Sequence, residues 1–291
     1  MRRSFITPAL LLGPHELIGE LIMPLRIILA GATGWVGRAL VEAIAKAEDL
    51  ELAGAVSRSA AGRDAGEAAG IDPLGVTISA TLEEALGQPG DVVIDYTKPQ
   101  VVKGHTIAAL TAGRHVVIGT SGLSADDYAE IDARARETGR GVLAAGNFSI
   151  TATLLRRFAV EAARYVPDVE IIDYASPAKA DTPSGTAREL AELLGNTRQP
   201  ATSKPVAELT GVRETRGGAI GAPRPVQVHS LRMPSFVLSC EVVLGADNER
   251  LTIRHDAGAS AAPYVAGTLL AARRVGSLVG LKRGLDAVMD P

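Results

Sequence analysis

Two stretches of this 291-residue chain hold residue types whose order could do chemistry. The first is Gly31-Ala32-Thr33-Gly34-Trp35-Val36-Gly37, which leaves the apolar run Leu25 to Ala30 and enters an amphipathic segment. Glycines let a turn close tightly and approach a pyrophosphate. The start of the following helix adds free N–H groups and a favourable dipole. The spacing departs from G-x-G-x-x-G, because Thr33 holds the second glycine position and Gly34 follows it. In a strand–turn–helix setting this predicts a dinucleotide site contacted by residues 31–37; a glycine turn without a ligand is the plain alternative. No P-loop lysine follows, which argues against a kinase or ATPase.

The second stretch is Asp173-Tyr174-Ala175-Ser176-Pro177-Ala178-Lys179-Ala180-Asp181-Thr182-Pro183-Ser184-Gly185-Thr186. Pro183 presets a helix start at its first turn, and Ser184, Gly185 and Thr186 then offer N–H groups and hydroxyls at a positive helix end. That pattern suits a carboxylate. Lys179 adjoins it and could give a proton to a reacting nitrogen or carbon. The plain alternative is a well-capped helix beside an exposed lysine.

The elements that must position these stretches alternate. Strand-like runs at 25–30, 50–56, 91–94, 115–118 and 142–145 alternate with helical patterns at 35–47, 99–112 and 124–138. This predicts an α/β fold, with a Rossmann-like doubly wound parallel sheet first. The Ala/Gly-rich stretch 59–70 reads as a surface loop. After about residue 148 the pattern changes to helix (to about 165), strand 169–172, helix 183–194 and a long loop 196–225. Strands at 226–230, 236–244 and 250–255 follow, then a helix at 262–275. The second half therefore reads as a mixed α/β substrate and oligomerisation domain. The expected division is 23–148 for the dinucleotide, 149–261 for substrate and oligomer, and 262–291 for helices returning to the first domain.

Composition narrows the function. The formal net charge is -3 and aromatics are only 3%, which argues against nucleic-acid binding. The single cysteine, Cys240, excludes an internal disulfide and a multi-cysteine metal cluster, and suggests the cytoplasm. Residues 1–22 mimic a signal peptide loosely. They carry Pro8, no small-x-small cleavage site and far fewer than the ~20 apolar residues of a membrane span. They read as a loose extension or a mis-called start, with Met23 the natural opening. No other segment looks transmembrane.

The second strand ends in Val56-Ser57-Arg58-Ser59. No acid stands where one would hold the ribose 2′-hydroxyl of NAD, and Arg58 could pair with a 2′-phosphate. NADPH is expected over NADH. Arg38 could add to the same positive field.

The stretch Lys179-x-Asp181-x-Pro183-Ser184-Gly185-Thr186 resembles the signature of the 4-hydroxy-tetrahydrodipicolinate reductase (dihydrodipicolinate reductase) family. The likeness runs from about residue 24 to 290. It takes in Gly62 to Glu67, Asp95-Tyr96-Thr97-Lys98-Pro99, Gly119-Thr120-Ser121-Gly122, Gly146-Asn147-Phe148-Ser149 and Gly267 to Ala272. The resemblance implies a homotetramer that passes hydride from NAD(P)H to a cyclic unsaturated imine dicarboxylate in lysine and diaminopimelate biosynthesis. It implies that Gly31, Gly34 and Gly37 hold pyrophosphate and that Arg58 faces the adenosine ribose. Thr97, Gly119 to Gly122 and Gly146 to Phe148 would meet the cofactor. Ser184, Gly185 and Thr186 would grip a substrate carboxylate, and Lys179 would donate the proton.

Three segments depart from the family pattern. A histidine-rich segment usually precedes the lysine, and here it reads Ala175-Ser176-Pro177-Ala178. Ala175 can neither move a proton nor bind, and Ser176 replaces only a hydrogen bond to substrate. The others are Val237 to Glu241 and Arg232-Met233-Pro234. Either Lys179 carries the proton alone, or the pocket is reshaped for another imine or enamine. Competing readings are a non-catalytic NADP-binding regulatory homologue and a semialdehyde dehydrogenase using Cys240. His105, His115, His229 and His255 read as structural.

Overall fold

A computed structural model describes residues 23–197, 208–211 and 217–290. The opening stretch 1–22 and parts of the expected 196–225 loop lie outside the described residues.

The first sheet has seven strands, all paired in parallel: β1 (Leu25–Ala30), β2 (Leu50–Val56), β3 (Ile78–Ser79), β4 (Val92–Asp95), β5 (His115–Ile118), β6 (Gly141–Ala144) and β12 (Gly280–Arg283). Their order is β12-β6-β5-β4-β1-β2-β3, which is the doubly wound arrangement with one added edge strand. Side chains alternate along β1. Ile27 and Leu29 face α1 (Trp35–Ala45) and α8 (Ala262–Arg274), whereas Ile28 and Ala30 face α4 (Pro99–Thr111) and α5 (Ala125–Glu137). The central strands are largely buried on both faces and so read as apolar runs, interrupted in β1 by Arg26 and in β2 by Glu51.

The stretch 59–70 is not a loop. It contains a short 3-10 turn, Arg58–Ala60, and α2 (Ala65–Ala69), with Ala60, Ala65 and Ala68 in the core. Asp64 folds it: Oδ1 accepts from the N–H groups of Gly66, Glu67 and Leu74, and Oδ2 from that of Val76. Small residues here permit close packing, whereas composition alone suggested a turn. The short β3 and α3 (Leu82–Ala85) also escaped the sequence reading.

The second sheet is mixed, in the order β11-β10-β7-β9-β8. Its strands are β7 (Asp168–Ala175), β8 (Gly218–Ile220), β9 (Val226–Arg232), β10 (Leu238–Ala246) and β11 (Glu249–Ala257). Strand β8 lies inside the stretch expected to be loop; it pairs antiparallel with β9. Along β7, Val169, Ile171, Asp173 and Ala175 are buried, and the residues between them are half-buried. The buried face packs on α6 (Ile150–Ala162) and α7 (Gly185–Gly195). On the other face Tyr174 stacks with Phe236 at 4.9 Å between ring centroids, and Arg254 lies 4.9 Å from the Tyr174 ring.

The chain then returns to the first sheet. Helix α8 packs beside α1, and β12 adds in parallel to β6. The last segment, expected to be helical, thus contains a strand. Four residues, Gly-Leu-Lys-Arg, carry too little pattern to announce it; the exposed edge of β6 decides it.

Candidate active site

The phosphate turn is shaped by contacts that leave no room for side chains. Gly31 has φ 88°, and a Cβ there would collide with the carbonyl of Tyr96; one on Gly37 would collide with that of Gly31. Gly34 is the N-cap of α1 without any side-chain cap, and no acid sits in the first turn. The helix end is therefore open to an anion, and these residues fit a dinucleotide pyrophosphate. Ala32 and Gly37 are buried, Val36 is half-buried, and Trp35 is 58% exposed with its ring edge-on to Tyr264.

Beside the turn, Thr33 Oγ1 and Ser57 Oγ are 2.6 Å apart, which joins the ends of β1 and β2. Arg58 and Ser59 are exposed next to them. Arg38 Nε donates to the Thr33 carbonyl at 3.1 Å.

Asp95, at the end of β4 and fully buried, ties the next two loops together. It accepts from Thr97 N at 2.8 Å, Thr97 Oγ1 at 2.6 Å and Thr120 Oγ1 at 3.1 Å, and its other oxygen lies 2.7 Å from His105 Nδ1. Thr97 thus gives its N–H and hydroxyl proton to Asp95, which fixes the loop it sits on, and the residue itself is half-buried. Tyr96 runs under the site. A Cβ at Gly119 would collide with its ring, and its hydroxyl is 2.7 Å from Thr268 Oγ1 on α8. Burial pushes the Tyr96 phenol well above its ordinary range. Phe148 is buried, 6.1 Å from the Tyr96 ring, and Gly267 of α8 has no side chain where the Phe148 carbonyl approaches. The Asn147 side chain accepts from Ser149 N at 2.8 Å.

In the second stretch Asp173 is the buried hub. Ser184 gives it both a backbone N–H (2.8 Å) and a hydroxyl bond (2.7 Å), Ser230 Oγ approaches at 3.2 Å and Arg232 Nη2 at 2.9 Å. Arg232 Nη2 also donates to the Asp181 carbonyl at 2.8 Å. Neither Asp173 nor Arg232 stands out in the sequence, because no local pattern links two residues on neighbouring strands.

Helix α7 begins two residues later than expected, at Gly185 and not at Pro183. Ser184 is its N-cap, accepting from Ala187 N at 3.3 Å, so Pro183 precedes the cap instead of filling the first turn. Ser184 is buried and turned inward, whereas Gly185 is exposed and Thr186 half-buried. Lys179 Nζ lies 2.8 Å from one oxygen of Asp181, whose other oxygen accepts from Gly185 N at 3.2 Å. The hydrogen bond from Lys179 holds the Asp181 carboxyl below the usual range. Ser176 is half-buried, and its carbonyl accepts from Lys179 N. Ala175 is fully buried and carries no polar group.

The two halves face each other. A cleft of about 960 Å³ has Thr120, Ser121, Gly122, Gly146 and Asn147 on one wall and Thr186 on another. Lys179 is not among its lining residues. Among the described residues no His, Cys, Asp and Glu group could hold a metal. Cys240 is buried in β10 and its thiol is pushed up to about 12, mainly by burial, which leaves it inert as a nucleophile.

Comparison with known proteins agrees with this layout. Residues 25–148 match the family described as Dihydrodipicolinate reductase, N-terminus, and residues 151–288 match Dihydrodipicolinate reductase, C-terminus. The chain is 38% identical over 268 residues to the 4-hydroxy-tetrahydrodipicolinate reductase of Desulfitobacterium hafniense, covering 91% of this chain and 99% of that protein. It is also 38% identical over 275 residues to that of Synechococcus elongatus, with coverage of 91% and 99%. Among solved structures it is similar to dipicolinate-bound dihydrodipicolinate reductase from Paenisporosarcina sp. TG-14. That likeness has a TM-score of 0.80 and 27% identity, and covers 92% of this chain and 100% of the other.

Proposed function

The chain belongs to the dihydrodipicolinate reductase family, and from that premise we infer that it reduces 4-hydroxy-tetrahydrodipicolinate to tetrahydrodipicolinate on the route to diaminopimelate and lysine. It is an NAD(P)H-dependent oxidoreductase acting on a small dicarboxylate. The observation that carries this reading is the cleft with Thr120 to Gly122 and Gly146 to Asn147 on one side and Thr186 on the other.

When bound, the nicotinamide cofactor supplies a hydride. The remaining chemistry is one proton delivered and one water lost, and the chain's own residues must arrange it. Gly31, Gly34 and Gly37 shape the turn that takes the pyrophosphate. Because the N–H groups of Gly31 and Gly34 are given to the carbonyls of Val56 and Gly31, the binding N–H groups are those of Trp35, Val36 and Gly37 at the start of α1, with Ala32 and Thr33 completing the turn. Gly119, Thr120, Ser121, Gly146, Asn147 and Phe148 shape the nicotinamide end. Gly185 and Thr186 bind one substrate carboxylate at the positive end of α7, on a turn held by Ser184. An arriving carboxylate would take the place of Asp181 at Gly185 N. That frees Lys179 to donate the proton, and Ser176 offers substrate a hydrogen bond where the family carries histidine. Holding the reactants in register is worth several powers of ten before any acid acts.

The finer assignments follow from chemistry. NADPH is the preferred cofactor, because Arg58, Ser57 and Ser59 cluster without a carboxyl where a 2′-phosphate would sit. Residues 23–148 serve the cofactor, 149–261 serve substrate and assembly, and 262–291 lock the two together. The protein is a cytoplasmic homotetramer, assembled through the face of the second sheet that carries Ile172, Tyr174 and Val243 and that α6 and α7 leave uncovered.

The test is NADPH oxidation by the purified protein with enzymatically generated 4-hydroxy-tetrahydrodipicolinate. Steady turnover is expected. Tight NADPH binding without turnover would overturn the assignment and leave a nucleotide-binding regulator.

A further inference from the structure

The cleft contains a cation that the reaction so far leaves without a task. Arg283 ends β12 and stands opposite Ala144 in the parallel register, next to the Gly146–Asn147 loop. Its guanidinium lies 4.5 Å from the centroid of the Tyr128 ring. The other arginines lining the cleft each have a carboxyl within ion-pair reach. Arg156 meets Glu189 at 2.9 Å and also Asp286, Arg157 meets Asp290 at 3.0 Å, and Arg164 meets Glu161 at 3.1 Å. Among the described residues, Arg283 has no such partner. A guanidinium stacked on a ring keeps the donors of its edge for a carboxylate, which it can bind in a bidentate fork.

The substrate carries two carboxylates, and the start of α7 accounts for one. Ala175 and Ser176 bring no charge to the segment where the family has histidines. We propose that Arg283 binds the second carboxylate and so sets the preference of this site for a dicarboxylate over a monocarboxylate. The inference rests on the reductase reading above and adds to it a residue that the shared motifs do not include.

The test is calorimetric titration of the full-length protein, saturated with NADPH, using two probes: dipicolinate and the monocarboxylate picolinate. Wild type, R283Q, R283K and K282Q are compared; Lys282 is the exposed neighbour on the opposite face of β12. Wild type is expected to prefer dipicolinate. R283Q should lose about ten- to a hundred-fold in dipicolinate affinity, the range for a charge-assisted hydrogen-bonded pair, with picolinate changed less than about threefold. R283K should fall between, because it keeps the charge and loses the fork, and K282Q should match wild type. Equal weakening of both probes in R283Q, or an unchanged preference, would overturn the proposal while leaving the reductase reading intact. Wild type that binds NADPH but not dipicolinate would overturn both.

Discussion

Lys179 and Gly185 are bridged by one side chain: Asp181 lies 2.8 Å from the Lys179 ammonium with one oxygen and accepts from Gly185 N at 3.2 Å with the other. The two groups assigned to proton donation and carboxylate binding thus already share a carboxylate within the chain. K179A is expected to lower kcat by about 10²–10⁴, the usual range for loss of a general acid, with the NADPH Kd changed less than about twofold. Steady-state kinetics with a separate cofactor titration checks this; unchanged turnover would remove Lys179 from the mechanism. In D181N the competing carboxylate is gone, and dipicolinate should bind a few-fold more tightly.

The Tyr96 ring fills the space where Gly119 would carry a Cβ, and Tyr96 cannot retreat while its hydroxyl is held by Thr268 at 2.7 Å. G119A must therefore displace the 119–122 loop. Overpacking of this kind costs about 1–3 kcal/mol, and the NADPH Kd is expected to rise about tenfold or more in a fluorescence titration. An unchanged Kd would show that this loop does not meet the cofactor.

R58A should weaken NADPH by about tenfold or more, the worth of a charge-assisted hydrogen bond to phosphate, and NADH by much less. Parallel titrations with the two cofactors decide it. Equal weakening would remove the 2′-phosphate contact and make Arg58 a solvated loop charge.

His115 gives the fold a pH dependence. Its Nδ1 accepts from Gly141 N at 2.9 Å, and burial together with the nearby Arg140 holds its pKa below the ordinary histidine value. The folded state therefore takes up this proton at lower pH than the unfolded state. The contribution is complete above the unfolded value of about 6.5 and is lost as pH falls through the folded value. Urea unfolding between pH 7.5 and 5 should show stability decreasing toward acid, and H115N, which keeps an acceptor for Gly141, should flatten that slope. An identical slope in H115N would show that His115 is not the group responsible.

The parts of the fold that the sequence announces are those held by local pattern. Runs such as Leu25–Ala30 and Leu50–Val56 are buried over most of their length, with Arg26 and Glu51 their only charged residues, so their limits are visible as limits of apolarity. Elements such as α2 and β12 are fixed by partners distant in sequence: the Asp64 carboxyl reaching Leu74 and Val76, and the edge of β6. The same division runs through the candidate site. The glycine turn and the Lys179–Thr186 stretch are continuous and stand out. Asp95 gathers Thr120 from the next strand's loop, Asp173 gathers Arg232 from β9, and Arg283 reaches the cleft from the last strand. Each depends on chain segments brought together only by folding.

In the proposed mechanism, backbone N–H groups at the starts of α1 and α7 draw a dinucleotide and a dicarboxylate into one cleft. A crystal structure of the ternary complex with NADP and dipicolinate measures it directly. The nicotinamide ring is expected against Gly119–Gly122, in van der Waals contact with a dipicolinate whose carboxylate sits on Gly185 and Thr186. A nicotinamide bound away from Thr186, with side chains filling the space between, would contradict it.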